Sequence, residues 1–575
     1  MSAQAGRPSF AELFTPKLVT VLREGYDLAG FKTDVLAGLA VAIVALPLSM
    51  AIAIASGVPP ERGLYTAIVG GFLVSLLGGS RYQIGGPAGA FIVLVAATVM
   101  QHGIEGLLLA TFLSGLMLMA LGWLRLGTFV KFIPYPVTVG FTAGIGVIIF
   151  SSQIKDLLGL TLAGPEPGPF LPKLQALAAA LPSVNAAAVA VSLGAIVVIA
   201  ACRRWRPGWP AFLIAVALCA IAAWALRLPV ETIGTRFGGI ARALPAPHLP
   251  DFSPAHVMAV LPAALSFTLL GAIESLLSAV VADSMSGGRH RSNCELVAQG
   301  AANIGSALFG GIYVTGTIAR TATNVRSGAR GPIAGMLHSV FLLLFILVAA
   351  PIAAFIPLAA LAGVLAVVAW TMAEKHAFAT LLRVSAGDAV VLLATFLLTI
   401  FRDLTEGIVI GFSLSALLFL HRMAGSVVVE GRPAVAVEPD DLPDTAPGED
   451  RQSYAPVMEQ DIAVYHISGA FFFAAAGRVQ TVLDRLGPAP RAIVLDFSAV
   501  SNLDSTAAAA IEGFARKAAR QNSTVYVTGT DAAARRMLFQ HGVRPPHVRF
   551  KSTVQRAVAT ARAGIRRGEP ARQAA

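Results

Sequence analysis

Residues 85–91 read GGPAGAF and residues 313–317 read YVTGT, and each stretch opens a short apolar segment, over 85–100 and 313–326. Both segments are too short for an ordinary membrane span and begin with Gly, Pro or Thr. Irregular backbone is tolerated at membrane depth only where protein or a water-filled cavity receives its polar groups. Paired interrupted segments in the two halves of a chain indicate the binding site of a transporter. The two stretches therefore predict two half-helices that meet inside a bilayer.

Further segments are apolar over the roughly 20 residues that a helix needs to cross a bilayer. They lie near residues 35–55, 62–79, 104–122, 136–152, 186–201, 209–226, 257–285, 295–311, 331–350, 353–372, 386–401 and 404–421. Together with the two short segments they make 14 spans, and the short ones are third in each set of seven. Because seven is odd, the second set is inverted. The sequence predicts an α-helical polytopic membrane protein with a 7+7 inverted repeat, whose spans 3 and 10 are half-helices.

The composition divides the chain into a membrane part and a soluble part. The chain is 56% hydrophobic and 13% charged, with a mean hydropathy of +0.72, whereas soluble proteins carry about 25% charged residues. We assign residues 1–32 to a cytoplasmic N-terminal segment and residues 33–424 to a transmembrane transport domain. The net charge of +11 is attributed to Lys and Arg in loops. No basic stripe with interleaved aromatic residues indicates nucleic-acid binding.

The distribution of charge among the loops predicts the orientation. Cytoplasmic loops are enriched in Lys and Arg, and about twelve such residues lie on the side of both termini against about seven on the other. Those on the side of the termini are Arg81, Arg125, Lys131, Arg203, Arg204, Arg206, Arg289, Arg291, Arg326, Arg330, Lys375 and Arg383. The N-terminus lacks the features of a signal peptide. We expect a multi-pass protein of the cell inner membrane with both termini in the cytoplasm.

The soluble part follows a Pro-rich and acidic linker over residues 425–456. Strand patterns alternate there with helix patterns, which is typical of an α/β domain with a partly parallel sheet. The strand patterns lie at 464–473, 491–500 and 523–530, and the helix patterns at 478–486, 505–521 and 532–542. We assign residues 457–565 to a cytoplasmic α/β domain and residues 566–575 to a disordered tail.

The starts of the two half-helices could bind an anion through backbone groups alone. A helix N-terminus presents free N–H groups and the positive end of the helix dipole. Residues 85–87 interrupt the first segment just before the amides of residues 88–90, and residues 315–317 precede those of Ile318 and Ala319. Two such ends that meet at mid-membrane make an anion site without any side-chain charge.

Three polar side chains within apolar segments could add chemistry to this site. An intramembrane charge is a functional hypothesis by default, so Arg320 either supplies a positive field for the anion or pairs structurally. Glu274 lies inside an apolar span, where it could carry a proton, bind Na⁺ together with Ser275 and Ser278, or serve as a structural partner. Ser49 follows the proline of the first span, and a kinked helix without function is an equal alternative.

Other patterns in the sequence exclude alternative chemistry. The three cysteines have no paired spacing and the histidines no ligand spacing, so we expect neither disulfides nor a metal site. A Walker-type phosphate loop is absent from the sequence, which excludes a P-loop ATPase, and we expect no enzyme activity and no cofactor. Phe91, just inside the first half-helix, could form an apolar wall of the site, although a single Phe more often serves packing.

Four stretches of the membrane part resemble the sulfate permease family, also called the SulP or solute carrier 26 family. They are DVLAGLAVAIVALPLSMAIAIASGVPPERGLYTAIVGG (34–71), LLGGSRYQIGGPAGAF (76–91), AIESLLSAVVADSMSGGRHRSNCELVAQGAANIGSALFGG (272–311) and TGTIARTATNVRSGARGP (315–332). In the soluble part, VLDFSAVSNLDSTAAAAI (494–511) resembles a STAS domain. The resemblance covers nearly the whole chain.

The resemblance implies a core domain of spans 1–4 and 8–11 that moves against a gate domain of spans 5–7 and 12–14. It also implies a homodimer, elevator-like alternating access, and an anion bound between spans 3 and 10. Glu274 would be the coupling carboxylate, with Ser278 beside it. Together with the residues discussed above, the candidate substrate-binding residues are Gly86, Pro87, Ala88, Gly89, Phe91, Thr317, Ile318, Ala319, Arg320 and Ser49.

These observations predict a secondary active transporter of small anions, either sulfate-type inorganic anions or C4-dicarboxylates, with proton coupling. Leu48 stands where many family members have Gln, as in a bacterial subset that includes dicarboxylate and bicarbonate carriers. A Na⁺-coupled bicarbonate transporter and a passive anion channel of the same fold stay open as alternatives. A nucleobase permease would lack the C-terminal domain. Ser505 after Asp504 is a candidate phosphorylation site, although a helix N-cap is the better interpretation.

Overall fold

The computed structural model describes residues 13–128, 134–164, 166–206, 209–402, 404–425, 428–432, 461–472 and 490–567. The chain divides into two compact units, Met1–Ser415 and Ala416–Ala575. The described part of the first unit is built almost entirely from helices, and the second contains a five-stranded sheet covered by helices.

The first half of the helical unit contains nine described helices and one short strand. The helices are α1 (Lys17–Arg23), α2 (Leu28–Ala55), α3 (Pro60–Tyr65), α4 (Gly71–Leu77), α5 (Ile92–Trp123), α6 (Tyr135–Leu158), α7 (Phe170–Ala179), α8 (Ala186–Trp205) and α9 (Ala211–Ala225). A π-helical turn, Thr66–Gly70, joins α3 to α4. Strand β1 (Gly85–Gly86) and a 3₁₀ turn (Gly89–Phe91) precede α5.

The second half also has a short strand before a helix, and that helix is short. Its helices are α10 (Ile233–Phe237), α11 (Pro254–Ser286), α12 (Ser292–Leu308), α13 (Ile318–Arg326), α14 (Ile333–Ala353), α15 (Leu358–Met372), α16 (Lys375–Val384), α17 (Ala386–Phe401) and α18 (Leu404–Gly425). Strand β2 (Thr315–Gly316) precedes α13.

The helices have the length and composition of a polytopic membrane protein. Among the described residues, eight helices are long and apolar enough to cross a bilayer, and α9 and α17 are shorter apolar helices. One of the eight combines two predicted segments, because α5 continues through Gly103, whose φ of 70° and ψ of −172° are not helical. The predicted segments 85–100 and 104–122 therefore meet at a break in the backbone. The count of fourteen spans stays a prediction.

Several helix bounds differ from the predicted spans. Helix α2 begins at Leu28, before the predicted start at 35, and the predicted span at 353–372 begins only at Leu358 in α15. Hydropathy identifies residues that suit the hydrocarbon core, whereas a helix extends as far as its backbone hydrogen bonds do. Helices α7 and α16 were not predicted, because they are too short or too polar to be recognised as spans.

The helices of the first unit pack in two groups. Helices α2, α4, α5 and α11–α14 contact one another, and α6, α8, α9, α15 and α17 form the second group. In the first group α5 and α12 approach closely, since a Cβ on Gly115 would lie 2.7 Å from the Gly300 carbonyl oxygen. The family resemblance implies the same grouping, with spans 1–4 and 8–11 apart from the others.

The second unit is an α/β fold around one sheet. Its strands are β3 (Val428–Arg432), β4 (Ile462–Phe471), β5 (Ala492–Leu503), β6 (Thr524–Thr528) and β7 (Val548–Phe550), in the order β3-β4-β5-β6-β7. Strands β4 to β7 are parallel, and β3 pairs antiparallel with β4 at the edge. The described helices are α19 (Ser505–Arg520), α20 (Ala532–Gln540) and α21 (Val554–Arg566). The partly parallel sheet agrees with the prediction.

The first part of the second unit differs from the predicted linker over 425–456. Residues 428–432 form β3, in which Val428 pairs with Ser468 and Arg432 with Val464. The strand was not predicted because the region as a whole is Pro-rich and acidic. The β-branched residues at its start, Val428 and Val429, favour a strand. Helix α21 likewise extends to Arg566, into the predicted tail. The remaining linker at 433–460, the predicted helix at 478–486 and residues 568–575 lie outside the described residues.

Candidate functional site

The two interrupted segments meet at a pair of two-residue strands. Strand β1 pairs antiparallel with β2, so that Gly85 lies opposite Gly316 and Gly86 opposite Thr315. Beyond the pair, the Thr317 backbone N–H donates to the Ile84 carbonyl oxygen at 2.9 Å. Each strand leads within three residues into a helical segment. The starts of the two half-helices are therefore fixed next to each other by backbone hydrogen bonds.

Close contacts explain why glycine occupies the strand pair. A Cβ on Gly86 would lie 2.1 Å from Nη1 of Arg320, and one on Gly85 would lie 2.7 Å from Cγ2 of Val74. A Cβ on Gly316 would lie within 1.4 Å of Nε2 of Gln83. Only glycine lets the backbone approach its neighbours this closely, so the motif that breaks the helices also lets the two strands meet.

Neither half-helix start is capped by a side chain. The residues at the N-cap positions, Ala88 and Thr317, make no capping hydrogen bond. The Thr317 hydroxyl instead donates to the Ile84 carbonyl oxygen at 3.1 Å. Around these starts Gly89 and Ile318 are half-buried and Ala319 is exposed. Uncapped N-termini leave N–H groups and a partial positive charge available to a ligand.

Arg320 is completely buried beside these helix starts. Its Nη2 donates to the Ser49 hydroxyl at 3.1 Å and to the Pro87 carbonyl oxygen at 3.3 Å. Its Nε and Nη1 have no hydrogen-bond partner in the described part of the chain. No ion pair joins Arg320 to Glu274 or to any other carboxylate among the described residues. The structure thus brings together Arg320, Ser49 and Pro87, three of the residues predicted from sequence.

Glu274 and Ser278 lie one turn apart on α11, but their surroundings differ. The Glu274 side chain is 7% exposed and has no hydrogen-bond or ion-pair partner among the described residues. The Ser278 hydroxyl donates to the Thr321 hydroxyl at 3.2 Å. Thr321 in turn accepts a hydrogen bond from the Ile84 backbone N–H at 3.1 Å. Glu274 is therefore available for another partner, whereas Ser278 supports the strand pair.

Phe91 is part of a buried aromatic cluster. Its ring stacks on Tyr313 with centroids 4.3 Å apart and lies 6.1 Å from Phe267. Phe91 is 2% exposed and Tyr313 is fully buried. The cluster joins the first half-helix to the chain that enters β2 and to α11. Phe91 thus packs against the second half, and its role as a wall of the anion site stays a prediction.

Two residues that shape the site, Gln83 and Thr321, did not stand out in the sequence. Gln83 donates to the Ser275 carbonyl oxygen at 2.9 Å, and the Ser275 and Thr315 hydroxyls lie 2.6 Å apart. Thr321, one turn after Thr317, links Ile84 to Ser278. Position next to the glycine motifs is the signal that could have identified these residues, since each flanks β1 or β2 or contacts them from α11.

The candidate phosphorylation site lies at the start of α19 in the second unit. Ser505 is exposed and is the first residue of the helix. Asp504 is the N-cap, and its carboxylate accepts from the Ala507 backbone N–H at 2.8 Å. The cap therefore belongs to Asp504, one of the two residues considered for it from sequence. Phosphorylation of Ser505 stays a prediction.

A second polar cluster joins β4, β5 and β6 in the same unit. Asp496 accepts from the Ser498 hydroxyl at 2.7 Å and from the Thr528 hydroxyl at 3.0 Å, and its Oδ2 lies 2.8 Å from Nδ1 of His466. Burial acts to raise the pKa of Asp496, but these hydrogen bonds outweigh it and lower the pKa below its ordinary value. This cluster, which links three strands through one carboxylate, was not predicted from the sequence.

Comparison with known protein families follows the same division of the chain. Residues 31–395 match the sequence model of the sulfate permease family, and residues 455–557 match that of the STAS domain. YvdB of Bacillus subtilis, named as a candidate sulfate transporter, is 38% identical over 526 residues, or 90% of this chain and 95% of YvdB. The bicarbonate transporter BicA of a Picosynechococcus species is 30% identical over 515 residues, or 88% of this chain and 90% of BicA.

Solved structures match the fold. Murine Slc26a9, described as an anion transporter in the inward-facing state, aligns with a TM-score of 0.82 at 18% identity over 98% of this chain and 96% of that one. The transmembrane domain of a cyanobacterial BicA aligns with a TM-score of 0.59 at 31% identity over 68% of this chain and 98% of that one. At 18% identity the first similarity concerns the fold alone. The predicted polytopic helical fold with a C-terminal STAS domain is confirmed.

Proposed function

Because the chain belongs to the sulfate permease family of anion transporters, we propose that it is a secondary active transporter of sulfate-type anions or C4-dicarboxylates. It works by elevator-like alternating access, coupled to protons. One observation carries this proposal: a completely buried arginine with unpaired N–H groups lies beside two uncapped helix starts.

Strands β1 and β2 pair at the point where both half-helices start, and this place is called the crossing below. The electrostatics of the crossing favour an anionic ligand. A buried charge without a partner is costly, and an incoming opposite charge removes much of that cost. Arg320 offers Nε–H and Nη1–H, which have no partner among the residues that the structure describes. The helix starts add partial positive charge and backbone donors, as in other anion sites at helix N-termini. We place the anion at residues 86–89 and 317–320, with Ser49 orienting the guanidinium.

The first experiment identifies the substrate. Purified protein in proteoliposomes is given labelled sulfate, bicarbonate or fumarate under an imposed pH gradient, an imposed Na⁺ gradient, or none. We expect saturable accumulation of sulfate or fumarate driven by the pH gradient. Large passive currents without saturation would indicate a channel and would contradict the proposal.

Arg320→Ala tests, in the same assay, whether the buried guanidinium of Arg320 binds the anion. We expect uptake to fall about 30-fold or more, because truncating one partner of a buried charge interaction costs about 2–5 kcal/mol. The control is Arg326→Ala, which removes an exposed arginine from the other end of the same helix α13. Uptake by Arg320→Ala equal to that of the control, at equal protein in the membrane, would exclude the proposed role of Arg320.

Glu274 is the proposed coupling group, because it is nearly buried and has no partner among the described residues. Its neighbour Ser275 contacts β2 through Thr315, so a change at Glu274 is close to the crossing. Glu274→Gln keeps the shape and removes the titratable group. We expect exchange of anion across the membrane to persist while accumulation driven by the proton gradient is lost. Gradient-driven accumulation in the variant would reject coupling through Glu274.

The similarity to BicA favours a second candidate substrate. BicA is named a bicarbonate transporter, and the oxygens of Glu274 and Ser278 could bind Na⁺. Under this alternative the Na⁺ gradient, and not the pH gradient, drives labelled bicarbonate into the proteoliposomes. We further propose that the protein is a homodimer in the inner membrane, with both termini and the STAS domain in the cytoplasm.

A further inference from the structure

Two buried carboxylates outside the proposed anion site hold the chain on either side of it. Glu295 lies in the first turn of α12, and Asp34 lies two turns into α2; both side chains are completely buried. Neither contacts Arg320 or Glu274. Their hydrogen bonds instead reach backbone N–H groups of the loops that flank the half-helices.

Glu295 binds the loop that leads into the first half-helix. Its Oε2 accepts from the Gly79 backbone N–H at 2.9 Å and from the Ser80 backbone N–H at 3.1 Å. Its Oε1 accepts from Nε2 of Gln299 at 2.9 Å. The Arg291 backbone N–H also donates to the Gly79 carbonyl oxygen at 2.9 Å. The loop is thus attached to α12 five residues before Gly85.

Further hydrogen bonds hold the loop between Ser80 and the strand pair. The Tyr82 carbonyl oxygen accepts from Nδ2 of Asn324 at 2.9 Å. Gln83 donates to the Ser275 carbonyl oxygen, and the Ile84 backbone N–H donates to Thr321. Residues 82–84 are thus held by α11 and α13, and Glu295 fixes the start of the same loop five residues before Gly85.

Asp34 binds the loop that leaves the second half-helix. Its Oδ1 accepts from the Arg330 backbone N–H at 2.6 Å, and its Oδ2 accepts from the Tyr26 hydroxyl at 2.6 Å. Arg330 lies four residues beyond the end of α13, the helix that carries Arg320. The arrangement is reciprocal, since a carboxylate in each half of the chain holds the half-helix of the other half.

The bonding pattern separates these carboxylates from the proposed coupling group. Every hydrogen-bond partner of Glu295 and Asp34 given above donates, which is the pattern that an ionised carboxylate requires. Glu274, by contrast, has no such donor among the described residues. Charge-assisted hydrogen bonds to backbone N–H groups are about twice as strong as neutral ones. Such bonds suit groups that fix a backbone and not groups that exchange protons with a substrate.

We propose that Glu295 and Asp34 are positioning residues for anion binding. Glu295 positions the first half-helix through the loop that enters it, and Asp34 positions the second through the loop that leaves it. The proposal rests on the proposed anion site between the half-helices. A displacement of about 1 Å at a binding or reacting centre is enough to cost about a hundredfold. Loss of either carboxylate therefore weakens anion binding without removing any group that touches the anion.

The test compares variants that lack the carboxylate with matched controls in the proteoliposome assay. The labelled anion is whichever of sulfate, bicarbonate and fumarate the wild type takes up. Glu295→Met and Asp34→Ala are expected to raise the KM by about tenfold or more. The control for Glu295 is Asn293→Ala, because Asn293 lies on the same helix and accepts from the backbone N–H of Gly127, away from the half-helices. The control for Asp34 is Asp27→Ala, which removes the cap of α2 at Gly30.

Each control removes a similar side-chain-to-backbone bond, so we expect the control variants to lose comparable thermal stability with an unchanged KM. Glu295→Gln and Asp34→Asn retain the shape and one acceptor oxygen. They are expected to raise the KM by about threefold, because a neutral acceptor binds the loop less strongly. If Glu295→Met and Asp34→Ala do not accumulate in the membrane, Glu295→Gln and Asp34→Asn decide whether the carboxylates position the half-helices.

The outcomes separate this proposal from the proposed function. Wild-type protein that takes up none of the three anions contradicts the proposed function. Wild-type uptake together with an unchanged KM in the carboxylate variants that accumulate overturns the positioning role. An equal rise in KM in Asn293→Ala or Asp27→Ala overturns it as well, because the effect would then follow from general loss of stability.

Discussion

Single glycines at the crossing decide how close the guanidinium of Arg320 comes to the backbone of the first half-helix. Gly86 offers no side chain where Nη1 of Arg320 lies, and the adjacent Pro87 supplies a carbonyl oxygen to Nη2. Gly86 thus leaves room for the guanidinium beside the helix start, and the Pro87 carbonyl oxygen holds it there through a hydrogen bond. Residue size at position 86 therefore controls the position of the charge.

Gly86→Ala tests this control at the scale of one residue. The new Cβ would lie 2.1 Å from Nη1 of Arg320, so the guanidinium must move. We expect anion uptake to fall about tenfold or more, since a shift of about 1 Å at such a centre costs up to a hundredfold. The measurement is labelled uptake per molecule in proteoliposomes.

Gly194→Ala, in the interior of α8 and outside the proposed anion site, is the control. A Cβ at Gly194 would meet no atom within 4 Å. A much smaller loss of uptake is expected for it. Equal losses in the two variants would show that the collision with Arg320 is not the cause.

At the scale of elements, the break at Gly103 divides helix α5 into two parts, which correspond to the predicted half-helix and the predicted span after it. The positive φ and extended ψ of Gly103 lie in a region that only glycine occupies readily. The break separates the short helix that starts at the crossing from the part of α5 that packs on α12. The two parts can therefore take different directions while they stay connected.

Gly103→Ala is expected to lower the thermal stability of the protein, because a side chain in this backbone region costs about 1–3 kcal/mol. Gly194→Ala, in the interior of α8, is the control with the opposite sign. A Cβ there meets no atom within 4 Å, and replacing helical Gly by Ala stabilises by about 0.5–1 kcal/mol. Thermal unfolding in detergent measures both. A Gly103→Ala variant as stable as Gly194→Ala would contradict the strained conformation.

At the scale of the whole molecule, the proposed transport chemistry lies in one unit. Arg320, Glu274, both short strands and both carboxylates of the further proposal belong to Met1–Ser415. The STAS domain has a separate core around Phe471, Leu495 and Ile511. The residues that bind the anion in the proposal need no group from the STAS domain.

A chain truncated after Gly425 tests this separation. We expect it to take up the anion with an unchanged KM, because every residue of the proposed anion site belongs to the first unit. The STAS domain is expected to regulate transport or stabilise the dimer, so the maximal rate or the fraction of dimer falls. Uptake kinetics and the mass of the detergent-solubilised protein measure the two effects. A raised KM in the truncated chain would place part of the site in the STAS domain.

The amino-acid sequence by itself determined the class of fold and the location of the candidate site. Apolar runs of about 20 residues specify membrane helices because the hydrocarbon core is about 30 Å thick. Glycine and proline in GGPAGAF, and glycine in YVTGT, interrupt those runs because they suit backbone that a helix excludes. These are local properties, so the pattern of residues 85–91 and 313–317 was sufficient to place both half-helices.

Only the tertiary structure decided which side chains meet at the crossing. Gln83, Ser275, Thr321, Glu295 and Asp34 act on backbone groups that are distant in sequence, such as the bond from Ser80 to Glu295 across 215 positions. Residue type does not specify such partners, because one hydroxyl or carboxylate can bond to any donor that folding brings near. The same reason explains Glu274, whose lack of a partner among the described residues became visible only when the helices around it were in place.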